Sequence, residues 1–79
     1  MFIRVPVYFE DGDELVPGYA NIRVDQIVSY SSTLEDEGGE YCSVRLSTGA
    51  IFNVYWNEQH LTSRLSRYSL LDQNYYSNN

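Results

Sequence analysis

One histidine and one cysteine limit the chemistry this chain can perform. Nucleophilic catalysis needs a base within hydrogen-bond reach of a Ser, Thr or Cys, and acid–base catalysis needs paired titratable groups in a shaped pocket. His60 falls in the first turn of a helical pattern and reads as a packing residue. Cys42 alternates with apolar neighbours and reads as a small core hydrophobe. Neither has further His or Cys at ligand spacing, so the pattern calls for no metal and no cofactor. Four acids, Glu10, Asp11, Asp13 and Glu14, crowd one turn-rich stretch, but they lack the twelve-residue spacing and closing Glu of a calcium loop. The expectation is a protein that is not an enzyme.

Arginine and tyrosine supply the other constellation. All five basic residues are Arg, and eight residues are Tyr. If the strand alternation is right, Arg4, Tyr8, Arg23, Tyr41, Arg45 and Tyr55 leave the sheet on one side. Arg over a Tyr ring forms cation–π contacts of about 0.5–1 kcal/mol at exposed sites. These residue types also dominate binding hot spots, so the six are the candidate protein-binding residues.

The elements that position them follow from periodicity. Residues 2–9 alternate, with Ile3, Val5, Val7 and Phe9 inward. Pro6 cannot donate to a ladder, which places this strand at an edge or turns that position away from its neighbour. Glu10 to Gly18 reads as an acidic connection, with Asp11-Gly12 and Pro17-Gly18 as turn signals. Ile22 and Val24 open a second strand that Asp25-Gln26 interrupts, a slip that a bulge or a single helical turn would absorb before Ile27, Val28 and Tyr30 resume it. Thr33 to Glu40 reads as a flexible, solubilising acidic hairpin tip. Cys42, Val44 and Leu46 alternate up to Thr48-Gly49, a tight hairpin turn, and Phe52, Val54 and Trp56 alternate after it. Asn57 suits a helix N-cap, and Leu61, Leu65 and Tyr68 recur at helical spacing.

The fold expected is α+β and mainly β: a four-stranded, mostly antiparallel sheet, strongly twisted or partly barrel-like, with one C-terminal helix packed on it. Residues 1–68 make a single small β-rich domain, and 69–79 a disordered polar tail. The expected core is Ile3, Val5, Val7, Ile22, Val24, Val28, Val44, Leu46, Phe52, Val54, Trp56, Leu61 and Leu65.

The run VDQIVSY, the acidic hairpin, SVRLSTGAIFNV and a helix carrying Leu61 and Leu65 together resemble two families. One is the small FlbD-like flagellar-operon proteins, with their order of strand, strand, glycine turn, strand and helix. The other is the LytTR-type DNA-binding domain, in which a similar glycine-containing hairpin precedes a short helix. Both resemblances imply a regulatory adaptor. LytTR-type domains bind DNA through basic loop residues, whereas Glu10, Asp11, Asp13, Glu35, Asp36 and Glu37 occupy the loops here, so no site residue is carried over.

Composition narrows the partner. The net charge of −6 repels phosphate backbones and anionic lipid, which disfavours nucleic acid and membrane surfaces. A start without a cationic segment and apolar run, and the lone Cys42, point to a cytoplasmic protein. The leading function is a non-enzymatic protein-interaction module, a small regulator, adaptor or inhibitor. It would bind a protein partner with a basic surface through the Arg/Tyr face or an edge strand. Composition equally allows a virus-encoded inhibitor of this type. The alternative is a self-associating structural subunit, a homodimer or larger, and the third reading is a nucleic-acid binder using stacked tyrosines.

Overall fold

The computed structural model describes residues 1–69. Strand β1 (Phe2–Asp11) turns back into β2 (Glu14–Arg23), and a single 3₁₀ turn (Val24–Gln26) leads to β3 (Ile27–Tyr30). Then come β4 (Leu34–Asp36), β5 (Gly39–Leu46), β6 (Ile51–Val54) and helix α1 (Glu58–Ser69). The molecule is mainly β, its pairings are antiparallel, and one C-terminal helix closes it. Among the described residues the strands number six rather than four and lie in two sheets that form no closed barrel: β1 with β2, and β5 flanked by β6 on one edge and by β3 and β4 on the other.

The two extra strands come from stretches that read as connections. Glu10 to Gly18 is not a loop: only Gly12-Asp13 turns, and Pro17-Gly18 lies inside β2 opposite Tyr8 and Val7. Gly12 has φ +66° and Asp13 has no positive φ, the pattern that a type II′ hairpin turn requires. A two-residue loop closes on a hydrogen-bonded pair, Asp11 with Glu14, and the ladder alternates from there. Pro6 and Pro17 therefore both fall at positions whose N–H would point away from the partner strand. That is why a ten-residue ladder tolerates two prolines. Val24 N–H donating to Met1 O at 3.1 Å continues the same alternation past the strand ends. In the Thr33–Glu40 stretch, Leu34–Asp36 pairs with Gly39–Tyr41, making that tip a short hairpin of its own.

The core is Ile3, Val5, Val7, Ile22, Cys42, Val44, Leu46, Val54 and Leu61. Val24, Ile27, Phe52, Trp56 and Leu65 are half-buried and pack against it. Val28 corrects the expected core, being 62% exposed. A bulge explains it: β3 advances from Ile27 to Ser29 while β5 steps only from Leu46 to Arg45, so Val28 is left unpaired and turned out, and Ile27 faces inward. Phe9 keeps the inward side of β1 but is half exposed, because the hairpin outruns the body beneath it. Ten strand residues span about 33 Å, against a body 21 by 19 Å across and 46 Å in its longest dimension.

Asn57 is the N-cap: its Oδ1 accepts the His60 N–H at 2.8 Å. Thr33 Oγ1 accepts the Glu58 N–H at 2.8 Å, tying the entry of β4 to the helix start. Tyr30 and Thr62 share a hydroxyl–hydroxyl bond of 2.9 Å across the same seam. Of the polar tail expected over 69–79, Ser69 instead ends α1, and residues 70–79 lie outside the described residues.

Candidate functional site

Alternation in the long hairpin puts Phe2, Arg4, Pro6, Tyr8 and Glu10 of β1, with Leu15, Pro17, Tyr19, Asn21 and Arg23 of β2, on the face away from the core. Pairing of β5 with β6 sets Arg45 opposite Ile51, both exposed. The two sheets meet where Tyr55 N–H donates to Pro6 O at 2.9 Å, the carbonyl that the hairpin alternation leaves facing outward.

At that junction three of the six expected residues come together. Tyr8 meets the Tyr55 ring edge-on, with centroids 4.7 Å apart, and Tyr41 lies against Tyr55 at 5.3 Å. They clamp the β4–β5 turn. The Tyr55 hydroxyl donates to Asp36 Oδ2 at 2.7 Å, Asp36 Oδ1 accepts the Gly38 N–H at 2.8 Å, and the Tyr8 hydroxyl reaches Gly38 O at 3.4 Å. Gly38 has no room for a side chain, since a Cβ there would fall 2.7 Å from Tyr8 Cε2 and 3.1 Å from Tyr55 Cε2. The bond to Asp36, then burial, then the Asp36 charge push the Tyr55 phenol up to about 12. Near neutrality it is a fixed donor, not a base, and its work is to hold the turn.

The three arginines stay outside this cluster, Arg4 and Arg23 at the base of the hairpin and Arg45 on β5. Arg4 lies over the Tyr19 ring at 4.5 Å, and Arg23 pairs with Asp25 at 3.1 Å. Tyr19 was concealed in the sequence because it follows Pro17-Gly18, a dipeptide that reads as a turn rather than as strand.

A second aromatic–cation cluster joins β6 to α1. His60 stacks on Trp56 at 4.5 Å, and Arg64 lies over Trp56 at 4.9 Å. Arg64 Nε is buried without a hydrogen-bond partner, and the indole face in part replaces one. Helical spacing signals this cluster, with His60 and Arg64 four apart and Asn57 capping just after Trp56.

Cys42 Sγ is fully buried and contacts Trp56 O at 3.5 Å. Burial, and then the Glu58 carboxylate, raise its thiol above the ordinary range, the opposite of an activated nucleophile. Among the described residues no group of three or more His, Cys, Asp and Glu is placed to hold a metal ion. The depression between Thr33, Glu40, Asn57 and Thr62 is wide open. No described helix is long and apolar enough to cross a membrane.

No known family, no curated protein and no solved structure matches the chain. The geometry alone therefore carries the functional reading. It offers an aromatic clamp spent on holding a turn and, beside it, an outer hairpin face whose aromatic and apolar side chains stand in solvent.

Proposed function

We propose that the protein is a non-enzymatic interaction module, a small regulator, adaptor or inhibitor, that binds a protein partner through the outer sheet face. One observation carries this reading. Phe2, Leu15 and Tyr19 are 58%, 64% and 60% exposed on a single face of the hairpin, beside Arg4 on Tyr19, and Glu10 is the sole carboxylate of that face in a chain with eleven acids. Isolated exposed apolar residues are ordinary, but Leu15, Pro17 and Tyr19 follow one another along one face of β2, and an exposed apolar run of that kind marks an interaction surface. Tyr and Arg contribute large contact area and directed hydrogen bonds at such surfaces. Glu10, Asp11, Asp13 and Glu14 gather at the tip end of this face and favour a partner with basic residues beside its contact patch. The regulatory role that the FlbD-like and LytTR-type resemblances imply agrees with this reading.

The test is affinity capture from nuclease-treated lysate with the native chain and with the Arg4→Ser/Tyr19→Ser variant, after melting curves establish that both are folded. A protein held by the native chain and lost by the variant supports the outer face. A partner held equally by both refutes that site, and retention of nucleic acid alone refutes the class.

A further inference from the structure

The outer edge of β2 is unpaired among the described residues: β1 occupies its other edge, and β2 pairs with nothing else. By the alternation fixed at the Gly12-Asp13 turn, Leu15, Tyr19, Asn21 and Arg23 direct both N–H and C=O outward there, and Pro17 directs a carbonyl alone. Unpaired edges of this length recruit strands. We infer that this edge docks a second copy of the chain, antiparallel, to give a continuous β1-β2-β2-β1 sheet.

The charge along the hairpin selects that occupant and its direction. Arg4 and Arg23 sit at the base, Glu10, Asp11, Asp13 and Glu14 sit at the tip, and no cation occurs in sequence between the two arginines. Each hairpin is thus positive at one end and negative at the other. Antiparallel pairing sets each acidic tip beside Arg23 of the second copy, twice over, whereas parallel pairing would stack tip on tip. Arg23 has capacity for this. Its pair with Asp25 occupies one amine, both side chains are more than half exposed, and a guanidinium has five N–H donors.

The apolar surface follows the same geometry. With Tyr19 opposite Tyr19, Leu15 faces Arg23 of the second copy, and Val16 lies opposite its Ile22. Val16 and Phe9, left uncovered because the hairpin outruns its own body, then rest alongside the second copy's body. Pro17 falls opposite Asn21 and removes one donor on each side of the axis. It also excludes the register that would set Pro17 against Pro17. The outer face stays open and is doubled, so this association is independent of the partner reading above.

Sedimentation equilibrium of the full chain from micromolar to millimolar concentration tests the inference, with Arg23→Glu and Asp13→Arg/Glu14→Arg as variants. The expected result is a reversible monomer–dimer equilibrium in the native chain, at least tenfold weaker in each variant and restored when the two variants are mixed, because the mixed pair regains both charge contacts. A native chain that stays monomeric throughout overturns it. So does a dimer that the variants leave unchanged, or a mixture that fails to recover. Amide exchange on the native chain decides independently of how the variants fold: protection of Tyr19 and Asn21 that rises with concentration supports the edge, and unchanged exchange refutes it.

Discussion

Two hairpins in this molecule have nearly the same composition and opposite fates. The β4–β5 tip carries Glu35, Asp36, Glu37 and Glu40, and the β1–β2 tip carries Glu10, Asp11, Asp13 and Glu14. Asp36 of the first is fixed by the Tyr55 hydroxyl and the Gly38 amide, beside the paired rings of Tyr8 and Tyr55. No carboxylate of the second meets a cation within 4 Å among the described residues, and the apolar residues beside it stand in solvent. An acidic run is therefore not in itself a solubilising feature. A tertiary contact makes one of these tips part of the scaffold, and length puts the other beyond reach of any such contact.

Both hairpins rest on the same core. Val44→Asp should abolish stable folding, because it buries an unpaired charge where Val44 is fully enclosed. A soluble variant with the native melting temperature would show that this core does not support them. Two glycines then separate the tips. A Cβ on Gly38 would press on Tyr8 and Tyr55, which are locked by each other, whereas a Cβ on Gly18 would press on Phe9 at 2.6 Å, a ring half in solvent and free to swing away. Gly38→Ala should cost about 1–3 kcal/mol, the usual penalty of overpacking. Gly18→Ala should cost well under half of that, although its nominal clash is as close. Equal losses of melting temperature would erase the distinction between a clamped and a free hairpin.

Tyr55→Phe removes only the bond to Asp36. On a half-exposed group its cost should be about 0.5–1.5 kcal/mol, read by denaturant unfolding. The same bond gives a pH signature. Tyr55 holds its proton more tightly folded than unfolded, its phenol being raised from 10.0 to about 12. The stability it contributes is accordingly complete below pH 10 and fades as pH rises through about 12. The native chain should lose more stability than Tyr55→Phe across that window, and parallel profiles would refute the latch. The smallest effect belongs to the free tip, where Glu10→Gln/Asp11→Asn should change stability by no more than about 0.5 kcal/mol. A larger loss would mean that this tip, too, is anchored.

Several of these features were legible from residue order. Strict alternation located β1, β5 and β6, Thr48-Gly49 located their turn, with Gly49 at φ +94°, and Asn57 capped α1 as its side chain requires. The interruption at Asp25-Gln26 did resolve into a single helical turn. Pro17-Gly18 misled because a turn dipeptide and an edge-strand dipeptide look alike until a ladder shows which way the proline nitrogen points. Val28 misled because a one-residue bulge inverts every side chain after it, and nothing local marks where it falls.

The candidate site divides along the same line. The sequence supplied the ingredients: the tyrosines, the arginines, the two acidic tips and the faces that β1, β5 and β6 present. Period-two geometry is a local property of the chain, so alternation alone can assign those. Only the tertiary structure decided that Tyr8, Tyr41 and Tyr55 would converge on one turn, that Arg4 would cover Tyr19, and that one acidic hairpin would be tied down while the other stands clear. Those outcomes depend on how two sheets meet at Pro6 and Tyr55, a contact between residues 49 positions apart that no local pattern encodes.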